Sequence, residues 1–379
     1  MKKDITRKDI TTRARRIVVK VGSVVLAGLY NKGIEETTFN HLAKQIARVK
    51  KDGKGVILVS SGAIAIGMKR MGLKERPRTI PEKQAVAALG QGSLMALYEK
   101  AFSPFGVRVA QILLTHDDLG NRPRFLNARN TLMTLLGYDT LPIINENDTV
   151  AVEEIKFGDN DNLAALVTNL VEADLLIILT DIDGLYDKDP KRYKTARLIP
   201  LVEDADHLAV EEVGGTAGVY GVGGMASKIE AAKKAVHFGI PTIIANGTTP
   251  DILKEIFSGK EVGTLFLPLE DRLTSRKHWI AFSTRPTGRI VVDEGAKGAI
   301  LERGKSLLPS GIKAVEGDFE AGEAVRCADE NGREFARGLV NYSASEIERI
   351  KGLKTKEIEG VLGYKYYDEV IHRDNLVVL

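Results

Sequence analysis

Cysteine is almost absent from this 379-residue chain. Cys327 stands alone, so no intrachain disulfide can form and a cysteine-based zinc cluster is excluded. The six histidines are scattered without metal-ligand spacing. Aromatic residues make up only 6% of the chain against 37 glycines, which suits tight strand-to-helix turns better than an all-β sandwich. No apolar run is long enough to cross a bilayer. Residues 17–29 follow the basic stretch 13–16 in the manner of a secretory signal, but Lys20 interrupts them and the run is too short to span. A strand behind a basic, mobile tail is the better reading, and the expectation is a soluble cytoplasmic protein with no membrane attachment. An excess of one charge is also lacking. The 54 Lys plus Arg nearly balance 51 Asp plus Glu, and a net of +3 does not by itself argue for nucleic acid or membrane.

What is present is an alternation of two periods. Residues 17–21 are short and β-branched, Gly22-Ser23 breaks them, and Phe39, Leu42, Ala43, Ile46 and Val49 then recur at helical spacing. Asp52-Gly53 ends that helix, residues 55–59 form the next apolar strand, and Ser60-Ser61-Gly62-Ala63 opens another helix. Residues 107–114, 141–144, 175–179 and 242–245 read as further buried strands, with helical patterns over 84–102, 125–136, 162–170 and 228–237. Continuous apolar strands separated by helices predict an α/β fold. Its sheet is mainly parallel and sandwiched by helices, with ligands at the carboxyl ends of the strands. After about residue 265 short strands take over, at 288–292, 312–316, 323–327 and 335–340, and Asn331-Gly332 favours a tight hairpin turn between the last two. The expected organisation is a basic tail at 1–16, an α/β domain at 17–267, a linker at 268–285 and a small β-rich domain at 286–379.

Chemistry concentrates at the strand ends. Lys20-Val21-Gly22-Ser23 puts a cation beside exposed turn amides, which either cradle phosphate oxygens or merely end a strand. Ser60-Ser61-Gly62-Ala63 has the same placement and is equally open to reading as an ordinary helix cap. Gly214-Gly215, Gly218, Gly221 and Gly223-Gly224-Met225-Ala226-Ser227-Lys228 form a glycine-rich connection whose ordering costs entropy, as in a mobile lid or phosphate loop. Lys228, at a helix start, opposes the dipole unless an anion binds there. Two clusters of carboxylates and carboxamides, Asn145-Glu146-Asn147-Asp148 and Asp159-Asn160-Asp161-Asn162, flank apolar runs, and Thr180-Asp181 leaves a further strand. Such polar groups make a poor core and a good site.

Two lysines, several amide nests and no nucleophile dyad point to phosphoryl transfer, in which positioning and charge cancellation carry most of the catalysis. No Gly-x4-Gly-Lys-Ser/Thr loop and no His-Arg-Asp loop is present. A carboxylate acceptor would need no general base, being ionised at neutral pH.

Lys20-Val21-Gly22-Ser23, Ser61-Gly62-Ala63, Asn145-Glu146-Asn147-Asp148, Gly158-Asp159-Asn160-Asp161-Asn162, Thr180-Asp181 and Gly223-Gly224-Met225 with Lys228 together resemble the glutamate 5-kinases of the amino acid kinase superfamily, and the C-terminal part resembles a PUA domain. The resemblance implies ATP-dependent phosphorylation of the γ-carboxylate of L-glutamate, the first step of proline synthesis, with Mg2+ held mainly by phosphates and water. It implies that Lys20 and Lys228 neutralise the transferring group and that Asp161 orients them. Ser61, Asn145, Asp148 and Asn160 would hold glutamate. Gly22, Ser23, Thr180, Asp181 and the run Val222, Gly223, Gly224, Met225, Ala226, Ser227 would lie on the nucleotide with the two lysines. Feedback inhibition by proline and a homo-oligomer, dimer or tetramer, are also implied. Val24 and Val222 stand where the family commonly has a small polar residue and Thr, departures that bear on nucleotide affinity. Acetylglutamate, carbamate and uridylate kinases share the superfamily but lack both the PUA-like appendage and the Asn-Glu-Asn-Asp run. RNA binding by the C-terminal domain is not favoured, because residues 286–379 carry 14 Lys plus Arg against 17 Asp plus Glu and no basic footprint results.

Overall fold

The computed structural model describes residues 6–27, 36–120, 122–150, 160–190, 192–205, 208, 224–268 and 286–379. Val222, Gly223, Gly158 and Asp159, and the glycines from Gly214 to Gly221, lie outside the described residues. The chain divides into two compact units, residues 1–120 with 127–269, and 121–126 with 270–379.

In chain order the first elements are α1 (Arg7–Arg13), β1 (Arg16–Val21), α2 (Ser23–Ala27), α3 (Glu36–Lys51), β2 (Gly55–Ser60), α4 (Ala63–Met71), α5 (Ile80–Phe102), β3 (Val109–Leu114), α6 (His116–Gly120), α7 (Arg122–Gly137) and β4 (Leu141–Glu146). Then come α8 (Asn160–Leu170), β5 (Leu175–Thr180), β6 (Leu201–Val202), α9 (Met225–His237), β7 (Thr242–Asn246), α10 (Ile252–Phe257) and β8 (Thr264–Phe266). The sheet runs β3-β4-β2-β1-β5-β7-β8-β6. Neighbours from β3 through β7 pair in parallel, and β7 pairs antiparallel with β8. The order leaves β1 for β2 on one side and for β5 on the other, the kind of switch point where a ligand crevice opens at the strand ends.

Strand periodicity decides which β1 side chain meets which layer. Ile17, Val19 and Val21 join the core shared with Phe39, Leu42 and Ile46 of α3 and Leu94, Tyr98 and Phe102 of α5. Val18 and Lys20, one residue out of phase, turn to the face covered by α8. A lysine in a central strand is thereby aimed at a helix start.

One expectation changes. The stretch before β1, read from its charge as a mobile tail, forms α1. Thr6 and Asp9 make a reciprocal capping box, and the Arg7 guanidinium donates to the backbone carbonyls of Val262, Pro200 and Gly263.

In the second unit β9 (Gly288–Val292), α11 (Glu294–Leu301), β10 (Ile312–Gly317), β11 (Ala324–Ala328), β12 (Glu334–Leu339), α12 (Ala344–Ile350), α13 (Ile358–Leu362) and β13 (Leu376–Val378) build a five-stranded sheet of order β10-β9-β11-β12-β13. The β11–β12 hairpin forms as expected. Its turn is wider than a two-residue one, with Gly332 at φ 78° and the Asp329 carboxylate accepting from the amides of Asn331 and Arg333. This unit has its own core, centred on Ile290, Val325, Cys327, Ile347 and Ile371. Burial pushes the Cys327 thiol up to about 12, with Glu334 adding to the shift, so the sulfur is held as an inert thiol.

Candidate active site

A buried lysine is tolerated only where an opposite charge and hydrogen bonds replace its hydration. Lys20 is 5% exposed, and its Nζ lies 2.7 Å from Oδ1 of Asp161. Lys228, equally buried on the first turns of α9, approaches Oδ2 of the same carboxylate at 3.1 Å. Ser227 Oγ donates to that oxygen at 2.8 Å. Asp161 sits in the first turn of α8, where the helix dipole also favours an anion. Burial alone would raise its pKa, but the charges of Lys20 and Lys228 outweigh that and hold it at about 2. Two ammonium groups thus converge on one carboxylate at the strand ends. Next to them, Lys234 donates to Asn162 at 2.6 Å and ties α9 to α8 a second time.

The carboxamides form a separate chain. Asn160 Nδ2 donates to Ser60 O at 3.2 Å, Ser61 Oγ at 2.9 Å and Asn145 Oδ1 at 3.0 Å. Asn145 Oδ1 also accepts from the amide of Glu146 at 2.9 Å, and its Nδ2 donates to Gln91 Oε1 at 2.8 Å. Oδ1 of Asn160 is buried with no donor among the described residues. Asp148 is half-buried just beyond β4. Burial, together with the nearby charge of Glu146, pushes its carboxyl up to about 7. Asp148 and Asp161 are therefore opposites: among the described residues a like charge adds to the shift of one, and two cations hold the other.

Helix α4 starts directly after Ser61. Its N-cap, Gly62, has φ 112° and offers no side-chain cap, so the first amides of the helix remain available to an anion. A cavity of about 380 Å³ opens over these groups. Lys20, Lys228 and Asp161 line it, as do Ser61, Asn145, Asp148 and Asn160, and Gly22, Ser23, Thr180 and Asp181 complete the wall. Val24, one of the departures from the family pattern, also lines it. The structure thus brings sequence-predicted residues from the ends of β1, β2, β4 and β5 and the starts of α8 and α9 into one cavity. Gly224, Met225, Ala226 and Ser227 are near it in the chain but do not line it, and Ser227 reaches it only through Asp161.

Three contributors were missed from sequence. Lys74 and Arg76, in the connection after α4, line the mouth of the cavity, and the only hint was a basic residue on either side of Glu75. Gln91 stands behind Asn145 in the middle of an ordinary helical pattern and gave no signal at all.

The chain matches the Amino acid kinase family over residues 15–246 and the PUA domain over residues 288–362. It is 56% identical over 373 residues to the glutamate 5-kinase of Geobacter sulfurreducens, covering 98% of this chain and 100% of that one. To the glutamate 5-kinase of Syntrophotalea carbinolica it is 54% identical, covering 98% and 99%. To that of Thermoanaerobacter sp. strain X514 it is 54% identical, covering 96% and 98%. Likeness on this scale spans both units and every described wall of the cavity. The chain belongs to the amino acid kinase family, and within it to the glutamate 5-kinases, with a PUA domain following the kinase domain.

Proposed function

We propose that this cavity catalyses ATP-dependent phosphorylation of the γ-carboxylate of L-glutamate, with Lys20 and Lys228 as the cations that meet the transferring group. The observation that carries the proposal is the Lys20–Asp161–Lys228 arrangement beside a cluster of amide, hydroxyl and carboxylate groups. A carboxylate attacking a phosphoryl group needs no base. The obstacle is repulsion between two anions, and two buried ammonium groups lower it where charge develops. Asp161 keeps both lysines pointed at the same place. Asp148 and Oδ1 of Asn160 suit the α-ammonium of glutamate, and Ser61, the α4 amides and Asn145 Nδ2 suit its α-carboxylate. Gly22, Ser23, Thr180, Asp181 and the segment from Val222 to Ser227 are assigned to the nucleotide.

The donor chemistry fits a Mg2+ ion that travels on the nucleotide. Asp161 is already bridged by two cations, and among the described residues no group of three or more His, Cys, Asp or Glu side chains could hold a metal. Phosphate oxygens and water would supply its ligands, and when bound it would offset charge between the β- and γ-phosphates.

Proline, sharing the α-amino acid head of glutamate, is proposed to compete for the same subsite as a feedback inhibitor. The homo-oligomer, dimer or tetramer, rests on the family resemblance and is tested by light scattering. A cytoplasmic location fits the finding that no described helix is long and apolar enough to cross a membrane. RNA binding by the C-terminal domain remains disfavoured by its net negative charge.

An assay of ATP consumption with L-glutamate, aspartate, N-acetylglutamate and UMP tests the reading. Turnover is expected with glutamate, and none with it would sink the proposal. Millimolar proline is expected to slow the reaction at subsaturating glutamate and to lose its effect at saturation.

A further inference from the structure

We propose that Gln91 is a positioning residue that fixes which way the Asn145 carboxamide faces and, through it, sets affinity for glutamate. The inference rests on the reading of Asn145 as a glutamate-binding group.

The two ends of a carboxamide differ by little more than their hydrogen-bond partners, so a carboxamide in a site is useful only if its surroundings choose the orientation. Here two backbone groups begin that choice. The amide of Glu146 can only donate, and it meets Asn145 Oδ1 at 2.9 Å. The carbonyl of Ser60 can only accept, and it meets Asn160 Nδ2 at 3.2 Å. Asn160 Nδ2 then donates to Asn145 Oδ1 at 3.0 Å, which gives that oxygen two donors and occupies it. Everything Asn145 can offer a ligand must therefore come from Nδ2. One of its two protons goes to Gln91 Oε1 at 2.8 Å. The other remains for the cavity that Asn145 lines. Gln91 itself does not line the cavity, so it acts through Asn145 and does not touch substrate.

Placement of Gln91 depends on its neighbour. A Cβ on Gly90 would lie 1.8 Å from the carbonyl oxygen of Ala63, so only glycine lets α5 approach the start of α4 closely enough for the following residue to reach Asn145. The same contact thus brings together the α4 amides, Ser61 and the Gln91–Asn145 pair.

Steady-state kinetics of the full-length protein test the proposal with Gln91→Met, Asn145→Ala and the double variant. Gln91→Met keeps side-chain length and removes the acceptor. It is expected to raise the KM for glutamate about tenfold, the usual effect of losing one such hydrogen bond, while kcat and the KM for ATP stay at wild-type values. In the Asn145→Ala background the same change should add nothing, because the group through which it acts is gone. Gln91→Glu retains an acceptor oxygen at the same reach and should keep a glutamate KM closer to wild type than Gln91→Met does. Full additivity of the two changes, an unchanged glutamate KM, or equal losses in kcat, both KM values and thermal stability would overturn the proposal. So would loss of folded protein in both Gln91 variants, which would make the residue a core brace. Absence of glutamate turnover in the wild type would instead count against the functional reading, a separate and recognisable failure.

Discussion

Asp148 and Asp161 share a cavity yet are driven in opposite directions, Asp148 by burial with a like charge beside it and Asp161 by two cations that outweigh its burial. Burial, with Glu146 adding to it, pushes Asp148 up to about 7, whereas the two lysines hold Asp161 at about 2. The sign for binding follows. Below the pKa of Asp148 the free enzyme presents a neutral acid that cannot hold an ammonium group, and above it a carboxylate that can. The KM for glutamate should therefore fall as pH rises from about 6 to about 8, and this dependence should vanish in Asp148→Asn. A pH-independent KM in the wild type would remove Asp148 from the ammonium subsite. Asp161 is ionised throughout that range, so its removal acts on the lysines. Asp161→Asn should lower kcat on the order of 100-fold with little change in the glutamate KM, while Asp148→Ala should chiefly raise that KM, and a reversed pattern would refute the division of labour. The two polar clusters were legible in the sequence as groups too costly to bury without purpose. Their different partners came only from the family resemblance and not from pattern or spacing, because Lys20 and Lys228 reach Asp161 only after β1, α8 and α9 have packed.

The elements themselves were largely legible, since buried parallel strands are continuous apolar runs and the helices between them carry a clear period. What escaped was set by close approach rather than by periodicity. Gly67 and Gly90 look like ordinary small residues in helical stretches, yet a Cβ on Gly67 would lie 1.9 Å from the carbonyl oxygen of Val86 and one on Gly90 would strike Ala63. These two glycines allow α4 and α5 to cross nearly backbone to backbone. Gly92, two residues on, has nothing within 4 Å of the same position. Gly67→Ala and Gly90→Ala should each destabilise by about 1–3 kcal/mol in urea melts and raise the KM for glutamate, because both helices carry its subsite. Gly92→Ala should stabilise by about 0.5–1 kcal/mol with unchanged kinetics. Equal effects at all three positions would mean that the crossing does not set the site. Helix α1 escaped for a different reason. Its capping box is local, but the carbonyls that receive Arg7 belong to the loops around Pro200 and Val262, far away in sequence.

At the scale of the whole chain, the change from long apolar runs to short strands near residue 265 was visible because the two units solve the burial problem separately. The first builds its core between an eight-stranded sheet and its helices, and the second builds one around five short strands. Each has the apolar interior that a cooperative unfolding unit needs. Every described wall of the proposed substrate cavity comes from the first. A ligand that binds only the folded form stabilises the unit it binds, by about 2.7 kcal/mol at roughly 100 times its Kd. Calorimetry should therefore resolve two transitions, of which only one moves upward with saturating glutamate and a non-hydrolysable ATP analogue. Ile347, fully buried in the second core, supplies the reciprocal change. Ile347→Ala should cost about 2–5 kcal/mol and lower the transition that ligand leaves alone, with kcat and both KM values unchanged at a temperature below both transitions. A single transition that responds both to ligand and to Ile347→Ala would show that the two cores unfold as one, and the separation read from the sequence would then be one of pattern and not of stability.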